Sequence, residues 1–311
     1  MQRHRPQDRH NTADTSVWFS LLVLLVVAFV SMATNAAGAT GNPAPAHERI
    51  VSLGPLITEN IFLLGAGDSL VGNTIYCQRP ETARYKVKVG SVQELSIEKI
   101  VSLEPQLILA NNLTPPQQVE KLRQLGYQVE IFRQPVSFVD ICAHFLRLGR
   151  LLGREAQAEA IVEQARQKVE AVRRAVASLP RCKVFLQVGA HPLFSSVKSS
   201  FTNDFIELGG GINVAGEQRS GAMKAEQVIA LNPDLIIIAV MGTEHGIGAG
   251  ERQRWLEYAA LEAVRTGRVH VMDPDLVCSP SPVTFAATLV TIARLIHPEA
   301  VLAATETPVP K

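Results

Sequence analysis

Net charge is almost absent: 30 Lys and Arg stand against 29 Asp and Glu, leaving +1. No basic run in the expected folded part offers a surface that tracks phosphates, so nucleic acid is not an expected partner. Cysteine is sparse. The four, Cys77, Cys142, Cys182 and Cys278, form no C-x-x-C pair, which removes the signal for a compact zinc or redox site. A P-loop, an H-E-x-x-H helix and a recognisable nucleophile–base pair are also missing, and these gaps weigh against an enzyme.

What is present is enough for two domains. The 311 residues are 47% hydrophobic, an ordinary globular composition in which each half can bury its own core. The N-terminus differs in kind. Arg3, Arg5 and Arg9 precede an almost unbroken apolar run over 17–30, and the small residues Ala37, Gly38 and Ala39 follow. Basic, apolar, small is the order of a secretory signal, and the run is short for a span of about 20 residues. Cleavage near Ala39 and retention as an N-terminal anchor are both open. Either places the folded part outside the cytoplasm. No cysteine near the cleavage region marks a lipoprotein. Cys142 and Cys182 fall in apolar helix and strand patterns and read as small buried hydrophobes, whereas Cys77 and Cys278 fall in loops.

Beyond the linker at 40–47, short apolar runs alternate with helical patterns. Strands are expected at 49–53, 70–72, 107–110 and 129–132, and helices at 58–64 with Thr58 as cap, 96–103 with Ser96 as cap, 116–125 and 137–148. Such alternation is the pattern of parallel, doubly wound sheets. Residues 154–179 then run without Gly or Pro. Val162, Ala165, Val169, Val172, Val176 and Leu179 are spaced by 3 and 4 in turn, which makes one apolar seam on a long rod ended by Pro180. Strand–helix alternation resumes at 183–188.

The two halves repeat. Glu98, Leu103, Pro105, Leu107 and Ile108 recur as Glu226, Leu231, Pro233, Leu235 and Ile236. Earlier in each half, Thr58, Leu64, Gly65, Gly67 and Gly72 recur as Thr202, Leu208, Gly209, Gly211 and Gly216. The expected architecture is therefore α/β, with two Rossmann-like lobes joined by a single long backbone helix: a signal at 1–39, an N-terminal lobe at 48–153, the helix at 154–179, a C-terminal lobe at 180–299 and a tail at 300–311. A period this long is no solenoid.

On these features the chain resembles the helical-backbone (class III) periplasmic binding proteins that take up iron complexes, haem and cobalamin through ABC importers. The residues that carry the resemblance run from Arg49 to Glu299: Arg49 to Leu53, Thr58-Glu59, Leu64 to Gly67, Tyr76-Cys77 with Pro80, Ile97-Glu98, Pro105 with Leu107-Ile108, Gly209 to Asn213, Glu226-Gln227, Pro233-Asp234 and His297 to Glu299. Phe185 to Gln187, Pro192, Phe194, Lys198 and Ser200 bring it nearest to the cobalamin-binding member.

The resemblance implies an exported solute-binding subunit that captures a metal chelate or corrinoid-type ligand between its lobes and delivers it to a permease dimer in the cytoplasmic membrane. It implies a monomer with no cofactor of its own, whose transported ligand is a corrinoid, haem or ferric siderophore. Two alternatives are an exported tetrapyrrole or metal chelatase-like enzyme and a membrane-anchored sensory module. Ligands of open α/β lobes bind outside the carboxyl ends of the strands, so the expected contacts are Tyr76, Cys77, Asn111, His191, Phe194, Lys198, His245 and Cys278, with His191 and His245 as the candidate metal ligands. Tyr76 matches a ligand-facing tyrosine of the cobalamin-binding member, but Val92, Asn111 and Ser220 stand where that member has tryptophan. Ser279 stands where many members have arginine. Each lobe of the family presents one glutamate to permease arginines, and Glu98 and Glu226 are the matching pair. Near a helix N-terminus such glutamates also complement the macrodipole.

Overall fold

The structure, a computed structural model, describes residues 47–241 and 246–300. The expected signal or anchor at 1–39, nearly all of the linker, His245 and the tail beyond Ala300 lie outside the described residues.

Five short strands open the fold: β1 (Ile50–Ser52), β2 (Leu70–Asn73), β3 (Val87–Lys88), β4 (Leu107–Asn111) and β5 (Val129–Phe132). They form one all-parallel sheet in the order β3-β2-β1-β4-β5. Its helices are α1 (Pro55–Leu63), α2 (Ile97–Ser102), α3 (Pro116–Gln124) and α4 (Phe138–Leu151). After the long α5 (Glu155–Val176) a second sheet is built from β6 (Cys182–Gly189), β7 (Phe194–Ser195), β8 (Gly211–Asn213), β9 (Leu235–Ile238) and β10 (Val269–Val271). There β6 is flanked by β9 on one side. On the other side it pairs with parallel β8 along its first half and antiparallel β7 along its second. The helices of this half are α6 (Phe201–Leu208), α7 (Ala225–Leu231), α8 (Ile247–Leu256), the short α9 (Glu262–Arg265) and α10 (Pro274–Cys278), and α11 (Pro282–Ile296).

Strand side chains alternate between faces, and the cores follow that period. Ile50, Leu107 and Leu109 of the first sheet and Val184, Leu186, Leu235 and Ile237 of the second enter one central core. Their neighbours point the other way, Val51, Ile108 and Ala110 into an outer N-terminal core, and Phe185, Ile236 and Ile238 into an outer C-terminal one. The central core is shared by both sheets. The α5 seam supplies Ala158, Val162, Ala165, Val169, Val172 and Val176, all buried. At about 1.5 Å per residue its 22 residues make a rod of roughly 33 Å. Three phenylalanines complete this core: Phe285 of α11 is stacked between Phe138 of α4 and Phe205 of α6, with centroids 4.6 and 4.2 Å apart.

Two expected boundaries move, each for a physical reason. The first helix starts at Pro55 with Gly54 as its cap, because proline is already shaped for a first turn and its missing N–H costs nothing there. Thr58 is inside the helix, where its hydroxyl bonds instead with Ser52 Oγ at 2.9 Å and lies 3.2 Å from Cys77 Sγ. Gly149 does not end α4, which runs on to Leu151. A side chain at Gly149 would stand 2.5 Å from Ala158 Cβ, so the glycine lets α4 lie against α5. Ser96 and Ser137 do cap their helices, accepting from Lys99 N and Asp140 N.

Candidate ligand site

A cavity of about 540 Å³ lies at the carboxyl ends of the strands of the first sheet and is completed from the second half of the chain. The loop after β1 brings Gly54 and Pro55, the loop after β2 brings Tyr76, Gln78 and Arg79, the end of β4 brings Asn111 and Leu113, and β5 and its loop bring Phe132, Arg133 and Pro135. His144 and Leu148, one helical turn apart on α4, add another wall. Phe201, Met241, Asp275, Cys278, Ser279 and Pro280 close it. The surface is mostly apolar with a few placed polar groups, the usual make-up of a small-molecule site, and the volume falls in the usual range.

Tyr76 is half exposed, at 51%, and so offers an aromatic face. The residue after it explains how it is held. Cys77 is fully buried, its thiol between the hydroxyls of Thr58 and Thr74 at 3.2 Å each. It lies outside the lining, and what it does there is anchor the tyrosine loop to α1. Asn111 turns its amide oxygen to Leu113 N at 2.9 Å. Its amide nitrogen approaches Gly54 so closely that any side chain at that position would meet it at 2.9 Å.

Cys278 is in the wall as a thiol. Burial, reinforced by the nearby Asp275 and Asp273 carboxylates, pushes its pKa up to about 12, and it donates to Ala239 O at 3.3 Å. It stays protonated at neutral pH, and metals bind the thiolate.

Arg79 was not singled out by the sequence. Its Nη2 donates to the carbonyls of Asp275 at 3.1 Å and Ser279 at 3.4 Å, across the cavity edge. It also stands 3.0 Å from Glu59 Oε2, an ion pair without hydrogen-bond geometry. Glu59 is nearly buried. Burial pushes its carboxyl above the usual range, against the pull of Arg79 and of the Ser281 hydroxyl. An arginine from the first half thus reaches the Ser279 backbone across the cavity edge.

The other expected contacts are elsewhere among the described residues. His191 is exposed, with Nε2 3.3 Å from Arg254 Nη1. Phe194 is 41% exposed, its ring over Gly221, where any side chain would collide with it. Lys198 pairs with Glu217 at 3.4 Å on the surface. None of the three borders the cavity. Glu98 and Glu226 both stand exposed in the first turns of α2 and α7. No group of three or more His, Cys, Asp or Glu among the described residues is arranged to hold a free metal ion. No helix among them is long and apolar enough to cross a membrane.

Residues 50–276 match the model of a family described as periplasmic binding protein. A vitamin B12-binding protein of Yersinia pestis (strain Pestoides F) is 32% identical over 200 residues, covering 63% of this chain and 71% of that protein. Among solved structures, the periplasmic vitamin B12-binding protein of Vibrio cholerae superposes with a TM-score of 0.69 at 27% identity, over 80% of this chain and 96% of that one. A periplasmic haem-binding protein from Pseudomonas aeruginosa superposes with a TM-score of 0.72 at 24% identity, over 83% and 96%, a likeness of fold.

Proposed function

The chain belongs to the periplasmic binding protein family and is a solute-binding protein rather than an enzyme, and on that premise we propose that it captures a metal chelate of the corrinoid or haem type outside the cytoplasm and hands it to an ABC permease. The observation that carries the ligand class is the cavity itself. It is large, apolar and aromatic-walled, and Tyr76, His144, Arg79 and Arg133 are the groups a flat, metal-bearing, acid-substituted ligand would use. The relatives named for vitamin B12 and haem support the same class. In this reading the N-terminal segment with its apolar run at 17–30 exports the protein or holds it at the membrane, and the protein works as a monomer.

Delivery rests on Glu98 and Glu226. Both are exposed, both lie in a first helical turn, and they fill equivalent places in the repeat. Two equivalent carboxylates suit the two equivalent sockets of a permease dimer, where charge-assisted pairs with arginine outweigh neutral contacts.

The test of the ligand is direct. Protein purified from its natural source carries a visible absorbance band and a stoichiometric metal, and calorimetry with ferric haem and with aquocobalamin shows binding to one of them. A colourless, metal-free preparation that binds neither defeats the proposal.

A further inference from the structure

His144 is the histidine that faces the cavity, and it is neither of the two that the sequence put forward. It projects from α4 one turn before Leu148, and both border the cavity. Its ring meets Phe132 edge-on, centroids 6.0 Å apart at 83°. Phe132 has a second neighbour: the Arg147 guanidinium lies 4.6 Å from its centroid and donates to Ile131 O at 2.9 Å. The imidazole is therefore oriented by packing. Neither ring nitrogen has a hydrogen-bond partner among the described residues. By contrast, His191 spends its Nε2 on Arg254. Burial holds the His144 pKa below the ordinary histidine value; Asp140 opposes this and Arg147 adds to it. The ring is thus neutral at neutral pH, with a lone pair to give. The other soft donor in the wall, Cys278, keeps its proton and its bond to Ala239 O.

We propose that His144 is the axial ligand this protein offers to the metal of its transported chelate. The assignment rests on the reading of the cavity as a metal-chelate site, and it narrows the ligand to a chelate whose metal has an exchangeable axial position. In the step, the unprotonated ring nitrogen donates its pair to the metal and a bound water leaves with its own; no electron is transferred. Imidazole suits iron and cobalt in this role. Ferric haem and aquocobalamin share the required chemistry, and the experiment separates them.

The full chain, as wild type, His144→Ala and His144→Gln, is titrated with ferric haem, metal-free protoporphyrin, aquocobalamin and cyanocobalamin, reading absorbance spectra and affinity. The expected result is a nitrogen-ligand spectral shift with ferric haem or with aquocobalamin in wild type. That shift is lost in both variants and restored in His144→Ala by added imidazole. Affinity for that metal complex falls by about tenfold or more, a range that even losses around a metal's ligands reach, while affinity for metal-free protoporphyrin or for capped cyanocobalamin holds. A wild-type spectrum unchanged in His144→Ala overturns the assignment and leaves the metal-chelate reading standing. So does an equal loss of affinity for metal-containing and metal-free or capped probes. Wild type that binds none of the four overturns both.

Discussion

Glu104 and Asn232 occupy the same place in the two halves, just after α2 and α7 and just before Pro105 and Pro233, and both adopt a left-handed backbone, φ 45° and 44°. Asparagine tolerates this region better than glutamate, since its short side chain bonds locally. Asn232 does so, taking Glu262 N on its amide oxygen at 3.0 Å. The repeat has thus kept a backbone conformation while the residue best suited to it survives in one half only. The halves are equivalent in geometry and unequal in chemistry, and the cavity makes the same point. Its walls come mostly from the loops of the first sheet, while the second half contributes a smaller share.

The strongest test of equivalence is at the permease. Reversing both charges, Glu98→Arg with Glu226→Arg, is expected to abolish uptake of the ligand in cells, with each single reversal giving partial loss. Affinity of the isolated protein should stay within about twofold, because neither residue borders the cavity. Full uptake by the double variant breaks the equivalence at the level of function.

The shared core comes next. Phe285→Ala removes the ring that joins Phe138 of one half to Phe205 of the other, and it should cost about 3–5 kcal/mol in denaturant unfolding. The loss should appear in one cooperative transition. Two separated transitions, only one of them shifted, mean that the halves do not share their central core energetically.

Tyr76→Ala sharpens the claim that the first half dominates binding. Removing a half-exposed aromatic platform is expected to weaken ligand binding by about 0.5–1.5 kcal/mol beyond lost area, with the unfolding midpoint unchanged. Unaltered affinity in calorimetry takes Tyr76 out of the site.

The smallest effect concerns the comparison itself. Glu104→Asn should stabilise the protein by about 0.5 kcal/mol, and Asn232→Ala should destabilise it by about 1 kcal/mol, since alanine suits neither the left-handed backbone nor the Glu262 N–H. A thermal midpoint that falls in Glu104→Asn shows that the first half has built something around its glutamate.

What the sequence made legible was whatever periodicity and repetition encode. The α5 seam is a spacing of 3 and 4, and its five positions from Val162 to Val176 are buried as that spacing requires. Ser96, Pro116 and Gly126 punctuate their helices as their chemistry dictates, Gly126 with φ 89°. Much of the cavity was not legible. Arg79 acts on carbonyl oxygens of residues roughly 200 positions away, and a carbonyl leaves no mark in a side-chain pattern. Cys77 sits beside a cavity residue and points away from the cavity, a difference of one position in a loop without period. His144 left a weaker signal: it lies one turn before Leu148, at the border of the buried stripe of Ile141, Cys142, Phe145 and Leu148.

The Arg79 contact has one more consequence. A guanidinium that grips main-chain oxygens is indifferent to what the residues at 275 and 279 carry beyond their Cβ atoms. An exchange of the aspartate or the serine for the shape a new solute demands leaves the clasp across the mouth its main-chain acceptors. The protein can in this way re-tailor the rim of its cavity without relearning how to close it.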